Sequence, residues 1–150
     1  MMDVGWRQVP FKALTLQELY EVLQLRAEVF VIEQDCAYQD MDGKDQAAVH
    51  LLGSANGELV AYARCFPAGV KFADASIGRV ITRQSLRASG VGHELMRQAI
   101  ACVAQQWGQQ AIRISAQARL ENFYLQHGFI KKGEPYIEDG IPHLEMLRPV

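Results

Sequence analysis

The sequence predicts a mixed α/β (α+β) fold in which helices flank one central sheet of six or seven strands. Two observations support this prediction. Short strand-like runs recur along the chain, and stretches with apolar residues at helical spacing separate them. The resulting order of elements is β-α-(α)-β-β-β-α-β-α-β-β, and the length of 150 residues predicts a single domain over residues 1–150.

The first helix is expected to begin at Thr15, because Glu18 follows three residues later and the two residues form a capping-box pattern. Apolar residues at helical spacing then predict one apolar stripe, which comprises Leu16, Leu19, Tyr20, Leu23, Ala27 and Phe30. The following segment, residues 33–46, is polar and acidic. We expect it to form a loop with a short helix.

The rest of the chain alternates strands and helices. Asn56-Gly57 predicts a tight hairpin turn, because both turn positions often need positive φ. Two further helices are expected to end at Gly108 and Gly128, and the first of them has one apolar face, formed by Val91, Leu95, Ala99, Cys102 and Val103. Strands are expected at 50–53, 58–66, 75–82, 111–115, from residue 129 onward, and at 142–148.

Composition argues against several classes of partner. The chain has 49% hydrophobic residues and a net charge of -2, which gives no reason to expect nucleic acid or a membrane as a partner. Cys36, Cys65 and Cys102 lack metal-ligand spacing, so we expect reduced thiols, no metal cofactor and a cytoplasmic location. Residues 1–7 lack the basic and apolar regions of a signal peptide, so none is expected.

Residues 77–93 are the most informative part of the sequence. A strand, a turn with Gly90 and Gly92, and the start of a helix form an anion site, because the first N–H groups of a helix have no partner within it. Arg87 adds a positive charge at this turn. The glycine spacing alone is equally compatible with a simple connection from strand to helix. The turn lacks the lysine of a Walker A loop and the third glycine of a Rossmann fingerprint.

Two motifs carry a resemblance to a known superfamily. The pattern Arg87-x-x-Gly90-x-Gly92 resembles the acyl-CoA pyrophosphate loop of the GNAT superfamily, and residues 122–129, Asn-Phe-Tyr-Leu-Gln-His-Gly-Phe, resemble its second signature. The motifs follow in the order and at the separation typical of that superfamily. Residues 25–42 and 138–143 also resemble the ElaA-type group of GNAT proteins. The resemblance therefore covers nearly the whole chain.

This resemblance implies a mixed sheet whose fourth and fifth strands splay apart, with the pantetheine arm of acetyl-CoA in the gap. The backbone of Val80 and Ile81 would contact pantetheine and polarise the thioester carbonyl. The pyrophosphate would bind to residues of the glycine turn, namely Arg87, Gly90, Val91, Gly92 and His93. Gln117 stands where many members carry asparagine, and its amide would contact pantetheine from one methylene further out.

The reaction implied by the resemblance is the attack of an amine on the thioester of acetyl-CoA. Tyr124 matches the tyrosine that commonly protonates the departing thiolate in this superfamily, and packing beside Phe123 is the alternative role for it. The amine must also lose a proton, because its ordinary pKa is near 10.4. Glu33, His50 and His143 are the candidate bases, and a relay of ordered waters is the alternative to any single base.

The sequence does not identify the amine acceptor, which is a small molecule or a protein. Carboxylates of the acidic segment predict attraction of a cationic amine, and these are Glu33, Asp35, Asp40 and Asp42. Two rival functions share this fold. They are a non-catalytic acyl-CoA sensor and an acyl-homoserine lactone synthase, which has an Arg-x-x-Val-Phe element like residues 26–30. The pyrophosphate loop favours CoA over a carrier protein as donor, and the oligomeric state, a homodimer included, is left open.

Overall fold

The computed structural model describes residues 3–150. Met1 and Met2 lie outside the described residues. They are the first two residues of the segment that is expected to lack a signal peptide. Within residues 3–150, the chain forms seven strands and three α-helices, in the order β1 (Gly5–Pro10), α1 (Leu16–Arg26), β2 (Val49–Ala55), β3 (Glu58–Phe66), β4 (Ala75–Thr82), α2 (Val91–Trp107), β5 (Ile112–Gln117), α3 (Glu121–Leu125), β6 (Ile130–Glu138) and β7 (Ile141–Arg148).

All seven strands form one sheet, in the order β1-β2-β3-β4-β5-β7-β6. Neighbouring strands are antiparallel except for β4 and β5, which are parallel. One face of the sheet packs against α2, through residues that include Leu95, Ala99 and Val103. The other face packs against α1, through Val22 and Leu25. The predicted mixed sheet flanked by helices is therefore confirmed.

Local sequence signals place the start of α1 and the first hairpin turn correctly. Thr15 Oγ1 accepts a hydrogen bond of 3.0 Å from the backbone N–H of Glu18, and the Glu18 carboxylate accepts one of 2.9 Å from the N–H of Thr15. This reciprocal pair is the predicted capping box. Asn56 and Gly57 both have positive φ, 52° and 76°, as the predicted hairpin turn requires.

The apolar stripe predicted for the first helix is mostly not the face that the structure buries. Leu16 is 87% exposed and Tyr20 is 70% exposed, whereas the buried residues are Val22, Leu25, Arg26 and Val29. The helix carries two neighbouring apolar stripes, and the sheet covers the one that also contains Arg26. A stripe that includes a charged residue does not look apolar in the sequence, so the spacing of hydrophobic residues indicated the neighbouring face.

The acidic segment, residues 33–46, is tied into the protein by ion pairs that its loop-like sequence does not predict. Three arginines and three aspartates pair there, namely Arg26, Arg64, Arg79, Asp40, Asp42 and Asp45. The Asp45 carboxylate accepts two of these hydrogen bonds, one of 2.8 Å from Arg26 and one of 2.9 Å from Arg64. The segment therefore packs firmly on the sheet, and a 3₁₀ turn, Asp45–Ala47, is its expected short helix.

Strands β4 and β5 part almost as soon as they meet. Their register contains only Ala75 opposite Ile112 and Ser76 opposite Arg113. Beyond these two pairs the strands diverge, which confirms the splay predicted between the fourth and fifth strands. Beyond the last of these pairs, β4 contains a β-bulge, in which Arg79 and Val80 together lie opposite one residue of β3. A bulge leaves a residue out of the ladder, so this part of β4 is free to present backbone groups to the gap.

The last strand in the sheet, β6, is an exposed edge. Ile130 to Ile137 are exposed along their whole run, and only one side of the strand pairs with β7. The pairing register shifts between Lys132 and Tyr136, around Pro135. The edge strand is thus interrupted near its middle.

The ion pairs of the acidic segment predict a stability that depends on pH. Burial acts to raise the pKa of Asp45, and the hydrogen bonds from Arg26 and Arg64 outweigh it, so its pKa is lowered. A lowered pKa means that the stabilisation is present above the ordinary pKa, near 3.9, and is lost as the pH falls through the folded-state value. Asp45→Asn should lower the free energy of unfolding by about 3–5 kcal/mol at pH 7, because it leaves two buried guanidinium groups underpaired.

Urea unfolding at pH 7 and in steps below pH 4 measures this effect, and the parent and Asp45→Asn should converge in acid. Asp35→Asn is the matched control, since Asp35 is an exposed carboxylate of the same segment. It should change the free energy by less than about 0.5 kcal/mol. Equal losses for both variants would show that the ion pairs do not stabilise the fold.

Candidate active site

A cavity of about 670 Å³ opens where β4 and β5 diverge. Most of the predicted site residues line it, namely Glu33, Val80, Ile81, Arg87, Gly90, Gly92, His93, Gln117, Tyr124 and His143. Val91 is the exception, because its side chain packs against the core. His50 is also absent from the lining. One cavity thus brings together residues from five separate parts of the chain.

The glycine turn leaves the start of α2 open at one end of this cavity. Gly90 has a φ of 88° and occupies the position before the first helical residue, so no side chain caps the helix. No atom outside its neighbours lies within 4 Å of the place where a Cβ of Gly90 would be. The first N–H groups of this 17-residue helix therefore have no side-chain cap, as an anion site requires.

Arg87 and Glu33 form an ion pair at this end of the cavity. Arg87 Nη2 lies 3.0 Å from Glu33 Oε2, and Nη1 contacts the other carboxylate oxygen. The hydrogen bonds from Arg87 lower the pKa of Glu33, which makes its carboxylate a weaker base. The ion pair therefore competes with both predicted roles, which are phosphate binding by Arg87 and proton abstraction by Glu33.

Gln117 is held by two neighbours at the end of β5. Its Nε2 donates a hydrogen bond of 3.2 Å to Oε1 of Gln34, and its Oε1 accepts one of 3.1 Å from Arg119. The amide thus lies on the wall of the cavity in a fixed orientation. Gln34 follows Glu33 directly, so two adjacent residues contact Gln117 and Arg87, both of which are predicted to bind acyl-CoA.

Tyr124 lies on α3 and is buried against aromatic rings. Phe123 and Phe129 meet its ring edge-on, with centroid distances of 5.1 and 5.8 Å. Burial raises the pKa of Tyr124 to about 12. The phenol therefore keeps its proton at neutral pH, as a proton donor must.

The candidate histidine bases have different surroundings. His50 is fully buried, with one ring nitrogen 2.6 Å from the Tyr62 hydroxyl and the other 2.9 Å from the Asp45 carbonyl. Both nitrogens are engaged away from the cavity, so His50 is wrong as a candidate base. His143 lines the cavity, and its Nδ1 lies 2.7 Å from the carbonyl of Ile141. A carbonyl only accepts, so Nδ1 carries the hydrogen and neutral His143 has its lone pair on Nε2.

The acidic segment does not supply the negative potential that the sequence predicts. Asp40 lies 2.7 Å from Arg79 and 2.9 Å from Arg26, and Asp42 lies 2.9 Å from Arg64. Their charges are balanced by partners that the sequence does not place near them. Only Glu138 and Asp139, on the β6–β7 turn, add further carboxylates to the lining besides Glu33.

Sequence reasoning did not single out His127, which contacts His93 in the structure. His127 Nε2 lies 2.8 Å from His93 Nδ1, and both rings lie about 5 Å from the ring of Phe123. Burial, together with the charge of His93, lowers the pKa of His127. This contact joins the first turn of α2 to the end of α3. Its only signal in the sequence is that each of the two GNAT-like motifs ends close to a histidine.

Two kinds of site are not found in the part of the chain that the structure describes. Within residues 3–150, no three His, Cys, Asp or Glu side chains come together in a way that could hold a metal ion. Over the same residues, no helix combines the length and the apolar character needed to cross a bilayer.

A seven-stranded sheet that opens between β4 and β5, with a glycine turn ahead of α2 at the opening, defines a GNAT-type fold. Residues 13–148 match the family model described as acetyltransferase (GNAT) domain, and the chain belongs to this family. It is 43% identical to protein ElaA of Escherichia coli (strain K12) over 149 residues, which cover 98% of this chain and 97% of that protein. The predicted ElaA-type relationship is confirmed.

Solved structures agree with this assignment. The crystal structure of Escherichia coli ElaA superimposes with a TM-score of 0.91 at 42% identity, covering 97% of this chain and 99% of that one. An acyl-CoA N-acyltransferase from Pseudomonas aeruginosa gives a TM-score of 0.92 at 40% identity, with the same coverage. The acyl-homoserine lactone synthase LasI gives 0.76 at 20% identity, covering 99% and 90%, which shows a shared fold alone.

The glycine turn predicts how substitutions affect acyl-CoA binding. Gly92→Val should raise the Kd for acetyl-CoA about tenfold or more, because a bulky side chain keeps phosphate from backbone N–H groups, and a charge-assisted hydrogen bond contributes about 1.5–3 kcal/mol. Gly92→Ala is the matched control, since its Cβ would lie 3.7 Å from Phe123, an ordinary contact. Gly90 is a poorer test, because its φ of 88° strains any other residue. Calorimetric titration with acetyl-CoA measures both, and parental affinity in a folded Gly92→Val would place the phosphate site elsewhere.

The ion pair between Glu33 and Arg87 gives a second prediction for this end of the cavity. Glu33→Gln frees Arg87 for an anion, and the Kd for acetyl-CoA should fall by up to about fivefold, as expected for an exposed pair. If Glu33 were instead the catalytic base, turnover would fall by about 10²–10⁴ and the Kd would not improve. Glu28→Gln is the control, because Glu28 pairs with Arg83 rather than Arg87.

Proposed function

We propose that this chain is an acetyl-CoA-dependent N-acetyltransferase with one catalytic domain over residues 1–150, and that it transfers the acetyl group directly to a primary amine. The observation that carries the proposal is the single cavity at the splay. It is lined by the β4 bulge, the glycine turn before α2 and Tyr124. These three features correspond to the needs of acyl transfer from a thioester: carbonyl polarisation, donor binding and protonation of the leaving group.

Donor binding is assigned to the glycine turn and the two diverging strands. The open N-terminus of α2 suits the pyrophosphate, with Gly90 and Gly92 allowing close approach and Arg87 adding charge. His93 lies on the same first turn and lines the cavity. The pantetheine arm would lie between β4 and β5, where the parted strands leave backbone groups without ladder partners.

Attack on the thioester carbonyl creates an oxyanion, which needs donors already in place. The bulge at Arg79 and Val80 takes β4 out of regular pairing at the edge of the cavity. We assign the oxyanion contact to backbone N–H groups of this stretch, near Val80 and Ile81. Fixed backbone donors cost little reorganisation when charge develops.

We assign the removal of the amine proton to His143. The hydrogen bond from Nδ1 to the carbonyl of Ile141 fixes the tautomer and leaves the lone pair on Nε2. Glu138 lies 3.5 Å from Nε2, where its carboxylate attracts the proton that Nε2 receives. Glu33 is less suitable, since its pairing with Arg87 lowers its pKa.

Tyr124 is assigned the opposite proton transfer. As the carbon–sulfur bond breaks, its phenol donates a proton to the departing thiolate, so that free CoA leaves as the thiol. On the way from ammonium to amide the nitrogen loses two protons, one to water before the attack and one to His143 as the amide forms, while Tyr124 gives one proton to sulfur. Exchange with water restores both groups, and each turnover releases one proton. The raised pKa of Tyr124 keeps its proton in place before each turnover.

The decisive experiment mixes the purified protein with acetyl-CoA and a panel of amines, including spermidine, lysine, tyramine and a short lysine peptide. Release of free thiol and a product heavier by one acetyl group support the proposal. Binding of acetyl-CoA without thiol release for any amine would identify a sensor. Activity only with acyl carrier protein and S-adenosylmethionine would identify a lactone synthase.

The assignment of Tyr124 predicts a specific kinetic pattern. Tyr124→Phe keeps the packed ring and removes only the hydroxyl, so kcat should fall by about 10²–10⁴ while acetyl-CoA affinity stays near the parental value. Because the pKa of Tyr124 is about 12, the parent should show no loss of turnover from its ionisation up to about pH 10. Steady-state kinetics across pH 6–10 measure both effects.

Tyr20→Phe is the matched control for this experiment. Tyr20 lies on α1, is 70% exposed and lies outside the cavity lining. Loss of its hydroxyl should leave kcat within about twofold of the parent, as expected for an exposed surface position. A Tyr124→Phe enzyme that is within threefold of the parent when chemistry limits the rate would end the general-acid assignment.

A further inference from the structure

Arg79 has a backbone conformation that is unusual for its residue type. Its φ is 50°, in the left-handed region that favours glycine. Within residues 3–150, four other non-glycine residues have a positive φ. Three of them, Asp35, Asn56 and Asp139, have short polar side chains that tolerate it, and the fourth is Ala88, in the turn before α2. Arg79 is different, because it has a long side chain and lies inside a strand. Something other than local preference must hold it there.

The position of Arg79 in the sheet explains what the conformation does. It is the first residue of the β4 bulge, a place that commonly takes glycine when φ is positive. The bulge begins three residues beyond Ser76, which forms the last pair between β4 and β5. Arg79 therefore lies where the strands part, directly before Val80 and Ile81 on the cavity wall.

The side chain of Arg79 is clamped by the acidic segment. Its Nε donates a hydrogen bond of 2.7 Å to the Asp40 carboxylate, and its Nη2 donates one of 2.9 Å to the Asp40 carbonyl. The guanidinium carbon lies 5.7 Å from the centre of the Tyr38 ring. Two directed contacts to one residue, together with the ring beneath, fix both the position and the plane of the guanidinium.

The other end of the clamp is anchored in the protein interior. Asp40 also accepts a hydrogen bond of 2.9 Å from Arg26, which is fully buried on α1. The Tyr38 hydroxyl donates a further one of 3.1 Å to Asp40. Asp40 is therefore immobilised by partners other than Arg79, so it provides a fixed point against which the bulge is held.

We infer that Arg79 is a positioning residue whose clamp on Asp40 sets the β4 bulge so that its backbone donors face the thioester carbonyl of the donor. The inference rests on the proposed acyl transfer from acetyl-CoA. A glycine would adopt the same φ without strain, so the arginine is needed for its side chain and not for its backbone. In this arrangement Asp40 acts on the reaction through β4, although Asp40 itself does not line the cavity.

The test uses a signal that reports the carbonyl itself. Acetyl-CoA labelled with ¹³C at the acetyl carbonyl is bound to the protein, and infrared difference spectra record its C=O stretch. Hydrogen bonds from the bulge should lower this frequency in the parent. Arg79→Ala and Arg79→Gly should lose the shift, and kcat with the best amine should fall by about 10–100-fold, somewhat less than for a deleted oxyanion donor. The KM for acetyl-CoA should stay within threefold.

Two further variants sharpen the comparison. Arg79→Lys keeps the charge but not the planar fork, so it should recover only part of the shift and of the turnover. Arg83→Ala is the control, because Arg83 also ties β4 to its surroundings, through the Leu59 carbonyl and Glu28, but lies beyond the bulge. It should keep the parental frequency and turnover.

Each outcome has a defined meaning. If Arg79→Ala does not fold, Arg79→Gly decides, since it relieves the backbone strain while still removing the clamp. A parental frequency and turnover in folded Arg79→Gly would overturn the inference. So would an Arg79→Ala protein that melts lower but keeps the C=O shift, because Arg79 would then only stabilise the fold.

The same spectra separate this inference from the proposed function. If the parent shifts the C=O frequency but releases no thiol with any amine, the acyl transfer is refuted, and loss of the shift in Arg79→Gly would still support the clamp. A parent that turns over without any shift would refute the clamp alone. A parent that does not bind acetyl-CoA would refute both.

Discussion

The early parting of β4 and β5 is the constraint on which the rest of the molecule depends. Two adjacent strands in the middle of a sheet normally satisfy each other's backbone groups along their whole length, yet these two share only two residue pairs. The remaining backbone groups along the gap must find partners in a ligand or in water. The open gap is therefore both a weakness in the sheet and the place that we propose for the thioester donor.

The acidic segment compensates for this weakness by bridging the gap. Four residues of the segment make these contacts. Glu33 contacts Arg87 in the loop after β4, and Gln34 contacts Gln117 on β5. Cys36 contacts the carbonyl of Asp139 in the β6–β7 turn, and Asp40 contacts Arg79 on β4. Each contact reaches a different element around the cavity. The sheet is thus held together at the splay by side chains in place of a backbone ladder.

Features that depend on nearby residues could be predicted from the sequence, because their physics is local. The capping box at Thr15, the hairpin at Asn56-Gly57 and the glycine turn before α2 each involve residues within a few positions of one another. Motif resemblance added the splay and the cavity-lining residues, while the catalytic roles of those residues stay predictions.

Features that depend on distant partners could not be predicted. Arg26 is buried because Asp40 and Asp45, 14 and 19 residues away, neutralise it, and a charged residue in a helix reads as surface without that information. Glu33 and Arg87 are 54 residues apart, so neither the pairing nor its effect on the Glu33 pKa has a local signal. Tertiary electrostatics decided these positions.

The interrupted edge strand β6 has a consequence for how the protein behaves at high concentration. An unpaired sheet edge is a template on which strands of other chains can add, and aggregation begins at such edges. Pro135 provides no N–H for a new ladder, the shifted register around it breaks the pairing geometry, and Lys131 and Lys132 place charge along the exposed run. The edge strand beside the cavity's β5–β7 wall thus resists the addition of strands from other chains, so a sheet that is open in its middle does not also grow at this side.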